Sequence, residues 1–160
     1  MRLLRYALPI ALTAALLACG EEEEVNEPGH TIASTPLAGK IHGKPWTFVA
    51  GATSNFLSDD EGLFTKLYPA ELSCQHFHGG DATEFILLQV PGQPGRYPLS
   101  LARNVTLVTE KAAGETLNMV AISGVLEVSE VTDTGLKGGL YARIDADYEV
   151  DGQFSASICE

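Results

Sequence analysis

Three residues with metal-binding side chains occupy alternate positions: Cys74, His76 and His78. In an extended chain these side chains point to the same side, and a thiolate with two imidazoles is a ligand set that suits zinc or copper. The Gly79-Gly80 pair that follows favours a loop in which the two histidines are simply solvated. A disulfide at Cys74 would also remove one ligand. We therefore favour solvated histidines and keep a copper or zinc site at His76 and His78 as the alternative hypothesis.

A second group of candidate ligands is acidic. Residues 147–152 superficially resemble the start of a calcium-binding EF-hand loop. The twelfth position of that loop would be Ile158, where calcium binding requires a glutamate. We therefore expect Asp145, Asp147 and Glu149 to form the solvated face of a strand.

Signatures of catalysis are missing from the sequence. It contains no Gly-x-Ser-x-Gly elbow, no His-Glu-x-x-His, no Cys-x-x-Cys and no glycine-rich phosphate loop. No catalytic residue is predicted. A small hydrolase stays open as an alternative, and it would need a concave pocket in which polar groups converge.

The start of the chain has the layout of a secretory signal peptide. Residues 1–5 carry two positive charges, and the apolar run over 6–18 is thirteen residues long and contains Pro9. A membrane-spanning helix needs about 20 apolar residues, so this run is too short to span a bilayer. The sequence Leu16-Leu17-Ala18-Cys19 resembles the lipobox of bacterial lipoproteins.

The resemblance implies that residues 1–18 are removed and that Cys19 becomes the first residue of the mature protein. In that family a lipid such as palmitate is attached to the cysteine sulfur. Two or more acyl chains hold a protein stably on a membrane, whereas one does not. The expected location is the bacterial cell envelope, most simply the outer membrane, on its periplasmic face or at the cell surface.

An acidic segment follows Cys19. Residues 20–29 contain five carboxylates and one apolar side chain, too little apolar surface to offset the entropy of ordering. We therefore predict that residues 19–36 comprise the lipidated cysteine and a disordered tether. Removal of Arg2 and Arg5 with the leader takes Lys+Arg from 10 to 8 and the net charge from −11 to −13. This excess of acid argues against a nucleic-acid partner.

The remaining cysteines make an even pair. If Cys19 is acylated, Cys74 and Cys159 are left in a compartment where disulfides persist. We predict a bridge between them. Closing a loop of this length would stabilise the fold by roughly 4 kcal/mol in the chain-entropy model.

Residues 37–160 read as an all-β domain. Alternating apolar and polar residues recur between breaks rich in glycine, proline and aspartate, and helical periodicity is nearly absent. We expect a central strand over 84–90, an edge strand over 65–74 interrupted by Pro69, and a three-stranded meander in the last forty residues. About eight strands without crossover helices predict an antiparallel two-sheet sandwich or a flattened barrel.

The final hairpin allows a prediction of register. A three-residue loop over 150–152, with Gly152 left-handed, would pair Tyr148 with Phe154 and would also pair Ala146 with Ala156 and Ile144 with Ile158. Only this register separates apolar from polar side chains, because a slip of one residue exchanges the two faces. The preceding turn is expected near 132–135.

Short motifs in this domain resemble those of small, β-rich bacterial lipoproteins of uncharacterised function. They are Gly43-Lys44-Pro45-Trp46-Thr47-Phe48, Gly95-Arg96-Tyr97-Pro98-Leu99 and Gly152-Gln153-Phe154. The expected function is that of a lipid-anchored binding or structural module that meets an envelope protein, glycan or peptide. The alternatives are a metal-binding lipoprotein that uses His76 and His78, and the small hydrolase.

Overall fold

The computed structural model describes residues 29–59, 62–72, 74, 84–112 and 115–159. Of these residues 70% lie in strands and none in an α-helix, which confirms the all-β prediction. The strands are β1 (Ala38–Ile41), β2 (Lys44–Thr47), β3 (Ala50–Asp59), β4 (Gly62–Tyr68), β5 (Phe85–Val90), β6 (Gly95–Pro98), β7 (Val105–Ala112), β8 (Glu115–Ala121), β9 (Ser123–Val131), β10 (Gly135–Asp145) and β11 (Tyr148–Cys159).

All of these strands belong to one hydrogen-bonded sheet. Nine of them follow the order β6-β9-β10-β11-β3-β4-β5-β7-β8, and the sheet curls into an open half-barrel. β1 pairs with β11 and with β2, outside this order. The described residues thus form eleven strands in one open, curled sheet, where the sequence predicted about eight strands in a two-sheet sandwich or a flattened barrel.

Two details of the predicted sheet were wrong. β11 and β3 run parallel, with Cys159 opposite Ser54, so the sheet is not wholly antiparallel. β4 lies between β3 and β5, so it is a central strand and not the expected edge strand. Pro69 follows the last residue of β4, where a missing N–H interrupts no ladder bond. The prediction of a central strand over 84–90 is confirmed by β5.

The meander of β9, β10 and β11 is confirmed, as is its first turn, where the Thr132 N–H donates to the Gly135 carbonyl. The predicted loop over 150–152 was wrong, because the second hairpin turns at residues 145–148. The side chain of Asp145 accepts the N–H groups of residues 147 and 148 at 2.8 and 3.1 Å. This local cap fixes the turn.

The predicted partners of the hairpin are therefore not paired. Tyr148 lies opposite Asp145, and Phe154 lies opposite Gly138. Ala156 pairs with Leu136, and Ile144 is 37% exposed. Tyr148, Phe154 and Ala156 are nevertheless all buried on the inner face of the sheet, so the predicted face of β11 is correct although the register is not.

Gly152 has the positive φ that was expected, at +141°, but for another reason. It lies within β11, where the chain segment that enters β1 crosses the strand. A Cβ at this position would lie 2.7 Å from the backbone N and Cα of Leu37. The crossing is held by the Leu37 N–H, which donates to the Gln153 carbonyl at 2.8 Å. Glycine is required at position 152 because any side chain there would collide with the backbone of Leu37.

The main core lies on the concave side of the curled sheet. Trp46 is 3% exposed within it. The largest fully buried side chains of this core are Leu37, Ile41, Leu67, Ile86, Val90, Val105, Leu107, Leu126, Leu140 and Val150.

Residues 30–36, which we name the strap, lie across the convex side of β9, β10 and β11. Ile32 is 9% exposed and packs in a cluster with Val125 and Tyr141. The His30 ring stacks on Tyr141, with 3.7 Å between ring centroids and 13° between planes. The Arg96 guanidinium donates to the His30 carbonyl.

One carboxylate of β11 holds the strap at two points. Asp151 Oδ1 accepts the Ala33 N–H at 3.0 Å, and Asp151 Oδ2 lies 2.9 Å from His30 Nε2. The disordered tether predicted for residues 19–36 does not extend over the strap, because these contacts order it. The folded part therefore includes the strap, which precedes the expected boundary at Leu37.

We predict that Asp151→Ala loosens the strap locally. Loss of the charge-assisted hydrogen bond from the Ala33 N–H to Asp151 should lower the free energy of local opening by about 1.5 kcal/mol. Hydrogen exchange of the Ala33 amide should therefore accelerate about tenfold. The matched control is Glu149→Ala, which removes a carboxylate from the same side of β11 without touching the strap. Equal Ala33 exchange rates in the two variants would contradict this role of Asp151.

Candidate functional site

The convex side of β4, β5 and β7 forms the floor of a cleft. Alternation along β5 turns Ile86, Leu88 and Val90 towards the core, so the intervening residues face outward. The register then places Leu87 beside Thr106 of β7, and Gln89 beside Phe64 of β4.

The wall of the cleft comes from the loop between β6 and β7. A tight turn joins Ser100 and Arg103: the Ser100 N–H donates to the Arg103 carbonyl at 2.7 Å, and the reverse bond measures 3.2 Å. The side-chain amide of Asn104 donates from Nδ2 to the Leu101 carbonyl at 3.1 Å. These bonds fix the backbone that carries Arg103 and Asn104 at the rim.

The resulting cleft has a volume of about 470 Å³. That volume lies within the roughly 300–1,000 Å³ that is typical of small-molecule sites. The described lining residues are Phe64, Leu87, Leu88, Gln89, Ala102, Arg103, Asn104 and Thr106.

The charge of this lining is opposite to that of the whole protein. The chain has 21 acidic residues against 10 Lys+Arg, yet the described residues of the cleft include Arg103 and no carboxylate. They include no histidine either, so this set lacks a general base for a hydroxyl such as that of Thr106. The arrangement can bind a ligand by charge, hydrogen bonds and apolar contact.

Two titratable groups flank the floor of the cleft on β4. Burial lowers the pKa of Lys66, whose Nζ lies 5.3 Å from the centroid of the Phe85 ring. Burial also raises the pKa of Tyr68 to about 12. The Tyr68 and Phe85 rings are tilted against each other with centroids 5.7 Å apart. Apolar surroundings disfavour the charged form of both groups.

The predicted disulfide is present between Cys74 and Cys159, with Cα atoms 5.2 Å apart and a sequence separation of 85. Cys159 is 4% exposed and clusters with Ala52, and Phe64 packs against this cluster. Phe64 therefore connects the disulfide region with the cleft.

The bridge removes the Cys74 thiolate from the metal-ligand set that the sequence suggested. His76, His78 and the predicted lipidation site Cys19 lie outside the described residues. Within the described ranges, no three His, Cys, Asp or Glu side chains are grouped so that they could hold a metal ion.

The three acidic residues of the final hairpin do not share one strand face as predicted, because the chain turns between Asp145 and Tyr148. Asp145 and Asp147 are exposed at the turn, and Glu149 is half-buried with an oxygen 3.6 Å from Arg143 Nε. The tyrosine between them responds to their charge: burial raises the pKa of Tyr148, and Asp145 and Asp147 raise it further.

Sequence reasoning singled out none of the residues that line the cleft. Leu87 and Gln89 lie on one face of β5 because side chains alternate along a strand, but no local pattern places Arg103 beside that face. The juxtaposition depends on the pairing of β5 with β7 and on the course of the loop before β7.

The chain matches no protein-family model, no curated protein and no solved structure. In the part of the chain that the structure describes, no helix is long and apolar enough to cross a membrane.

We predict that the double variant Cys74→Ala/Cys159→Ala is less stable by about 4 kcal/mol, since its unfolded chain is no longer constrained by a closed loop. Urea unfolding of the oxidised protein and of the variant measures the difference. The parent protein in excess reductant serves as the control and should lose a similar amount. An unchanged midpoint in both cases would show that the bridge does not constrain the unfolded chain.

Alkaline unfolding should depend on Tyr68. Its folded-state pKa of about 12 exceeds the value of about 10 in an unfolded chain, so its contribution to stability is complete below pH 10 and is lost as the pH rises towards 12. Tyr68→Phe should therefore lose less stability than the parent between pH 9 and pH 12, as measured by unfolding free energies. Parallel pH profiles for the two proteins would refute this assignment.

Proposed function

We propose that the protein is a lipid-anchored binding module of the bacterial cell envelope. The observation that carries the proposal is the order of features at the start of the chain: two arginines, a short apolar run over 6–18, and Leu16-Leu17-Ala18-Cys19. A run of this length is removed more readily than it is retained as an anchor, and acyl chains on Cys19 then replace it as the attachment to the membrane.

The proposed organisation of the chain has three parts. The signal peptide comprises residues 1–18, and the segment from Cys19 to Gly29 is the acidic tether. A flexible chain of eleven residues has a root-mean-square span of about 17–20 Å, and repulsion among the glutamates at 21–24 would extend it. The strap then joins this tether to the convex side of the sheet.

The disulfide supports an extracytoplasmic location. Bonds of this kind persist in the periplasm and at the cell surface, whereas cytosolic reductants keep thiols reduced. The Cys74–Cys159 bridge agrees with a chain that is exported before it folds. The outer membrane is the proposed site of anchorage, with the domain on its periplasmic face or at the surface.

The cleft supports a binding role. It is concave, lies on regular strands that fix its side chains, and combines apolar residues with a few polar groups, which is the usual composition of a ligand site. A loop that presents a cation beside a rigid sheet face is a common way to build a specific contact surface.

Acylation of Cys19 is the direct test. The full chain expressed in a bacterium should incorporate labelled palmitate and partition into the detergent phase of Triton X-114, and the mature protein should begin at residue 19. Cys19→Ala should take up no label and stay in the aqueous phase. Cys74→Ala/Cys159→Ala is the control and should keep the label. An unlabelled parent protein that retains its leader would overturn the proposed anchor.

A further inference from the structure

The described part of the chain holds three arginines, and two of them are paired with glutamates. Arg96 Nη1 lies 3.1 Å from Glu127 Oε2, and Arg143 Nε lies 3.6 Å from Glu149 Oε2. Among the described residues no carboxylate pairs with the third, Arg103, although the chain carries 21 acidic residues. Arg103 also lines the cleft, so its guanidinium can pair with the carboxylate of an external ligand bound there.

Arg103 is also held in place before any ligand arrives. The Ser100 turn fixes its backbone, and its guanidinium carbon lies 5.1 Å from the centroid of the Tyr97 ring. The Tyr97 hydroxyl donates to the Gln93 carbonyl at 2.9 Å, which orients the ring. A guanidinium that rests on an aromatic face loses little side-chain entropy when it pairs with a carboxylate.

The rest of the cleft is polar without being charged. Gln89 and Asn104 supply amides, and Thr106 supplies a hydroxyl. Phe64 and Leu87 add apolar surface on the neighbouring part of the floor. Amides and hydroxyls can form hydrogen bonds with a ligand that has many hydroxyl groups. An aromatic ring and a leucine side chain can pack against the C–H surface of a sugar ring.

We propose that the cleft binds an acidic saccharide whose carboxylate pairs with the Arg103 guanidinium. The sugar hydroxyls then bond to Gln89, Asn104 and Thr106, while the ring packs on Phe64 and Leu87. This inference rests on the proposed binding role of the cleft and adds the class of ligand. A saccharide is favoured over an acidic peptide because the neutral donors and acceptors outnumber the cations in a cleft of about 470 Å³.

The test is a nuclear magnetic resonance titration of the full chain, labelled with ¹⁵N and purified in a mild detergent. Digalacturonate should shift the backbone amides of Gln89, Asn104 and Thr106 saturably. Galactobiose, which lacks the carboxylates, and acetate, which lacks the ring, should each bind at least tenfold more weakly. Equal binding of digalacturonate and galactobiose would overturn the role of the charge.

Arg103→Gln should weaken digalacturonate binding at least tenfold. Arg143→Gln removes an arginine outside the cleft and is the matched control, which should bind as the parent does. Amide spectra of both variants establish that each remains folded. Unchanged binding by Arg103→Gln, or the absence of saturable shifts in the parent, would overturn the proposal.

A tetraglutamate peptide distinguishes failure of the ligand class from failure of the binding role. If the peptide shifts the same three amides and digalacturonate does not, the cleft is a binding site for acidic peptides and the saccharide proposal is wrong. If neither ligand shifts these amides, both the ligand class and the binding role of the cleft fail. The Cys19 experiment tests the anchor separately in each case.

Discussion

β11 is the strand on which the rest of the sheet depends, because it joins parts of the molecule that have no other ladder between them. One edge pairs with β10 along its length. The other edge is shared by β1 at residues 149–151 and by β3 at residues 157–159, with the strap bonded to Gln153 between them. Backbone groups in a buried strand must be paired, so three separate segments have to arrive at this edge in register. The requirement for glycine at position 152 follows from the same crowding.

The position of the cleft follows from what covers the convex side of the sheet elsewhere. The strap covers β9, β10 and β11, and Leu72 packs against Ala52 and Cys159 on the adjoining part of β3. Among the described residues, the convex face of β4, β5 and β7 forms the cleft beside the loop that carries Arg103. The net charge of the chain does not prevent an anion from binding there. At physiological salt, repulsion between exposed charges is largely screened beyond about 8 Å, whereas the guanidinium acts at contact distance.

The features that the sequence predicted correctly are those that residue types and their spacing indicate directly. The apolar run of β5 identified a central strand, and the even pair Cys74 and Cys159 identified the disulfide. The final turn lies elsewhere than predicted because the short cap at Asp145 determines its position, and the alternation of apolar and polar residues along the strands does not reveal that cap. The parallel pair of β3 with β11, the docking of the strap and the cleft all join residues far apart in sequence. The alternation of apolar and polar residues along a strand does not reveal such contacts, because each contact depends on how distant strands are arranged in the sheet.

β11 is also the last of the described strands in chain order, and this affects how the molecule can be made. β1 and β3 are synthesised roughly a hundred residues before β11, the strand whose edge they share, so neither can complete its ladder until β11 has been made. Such dependence on late, distant pairing slows folding relative to sheets built from successive hairpins. Under the export proposed above, the sheet would still be incomplete when the chain enters a translocation pore, because the ladders of β1 and β3 with β11 close last.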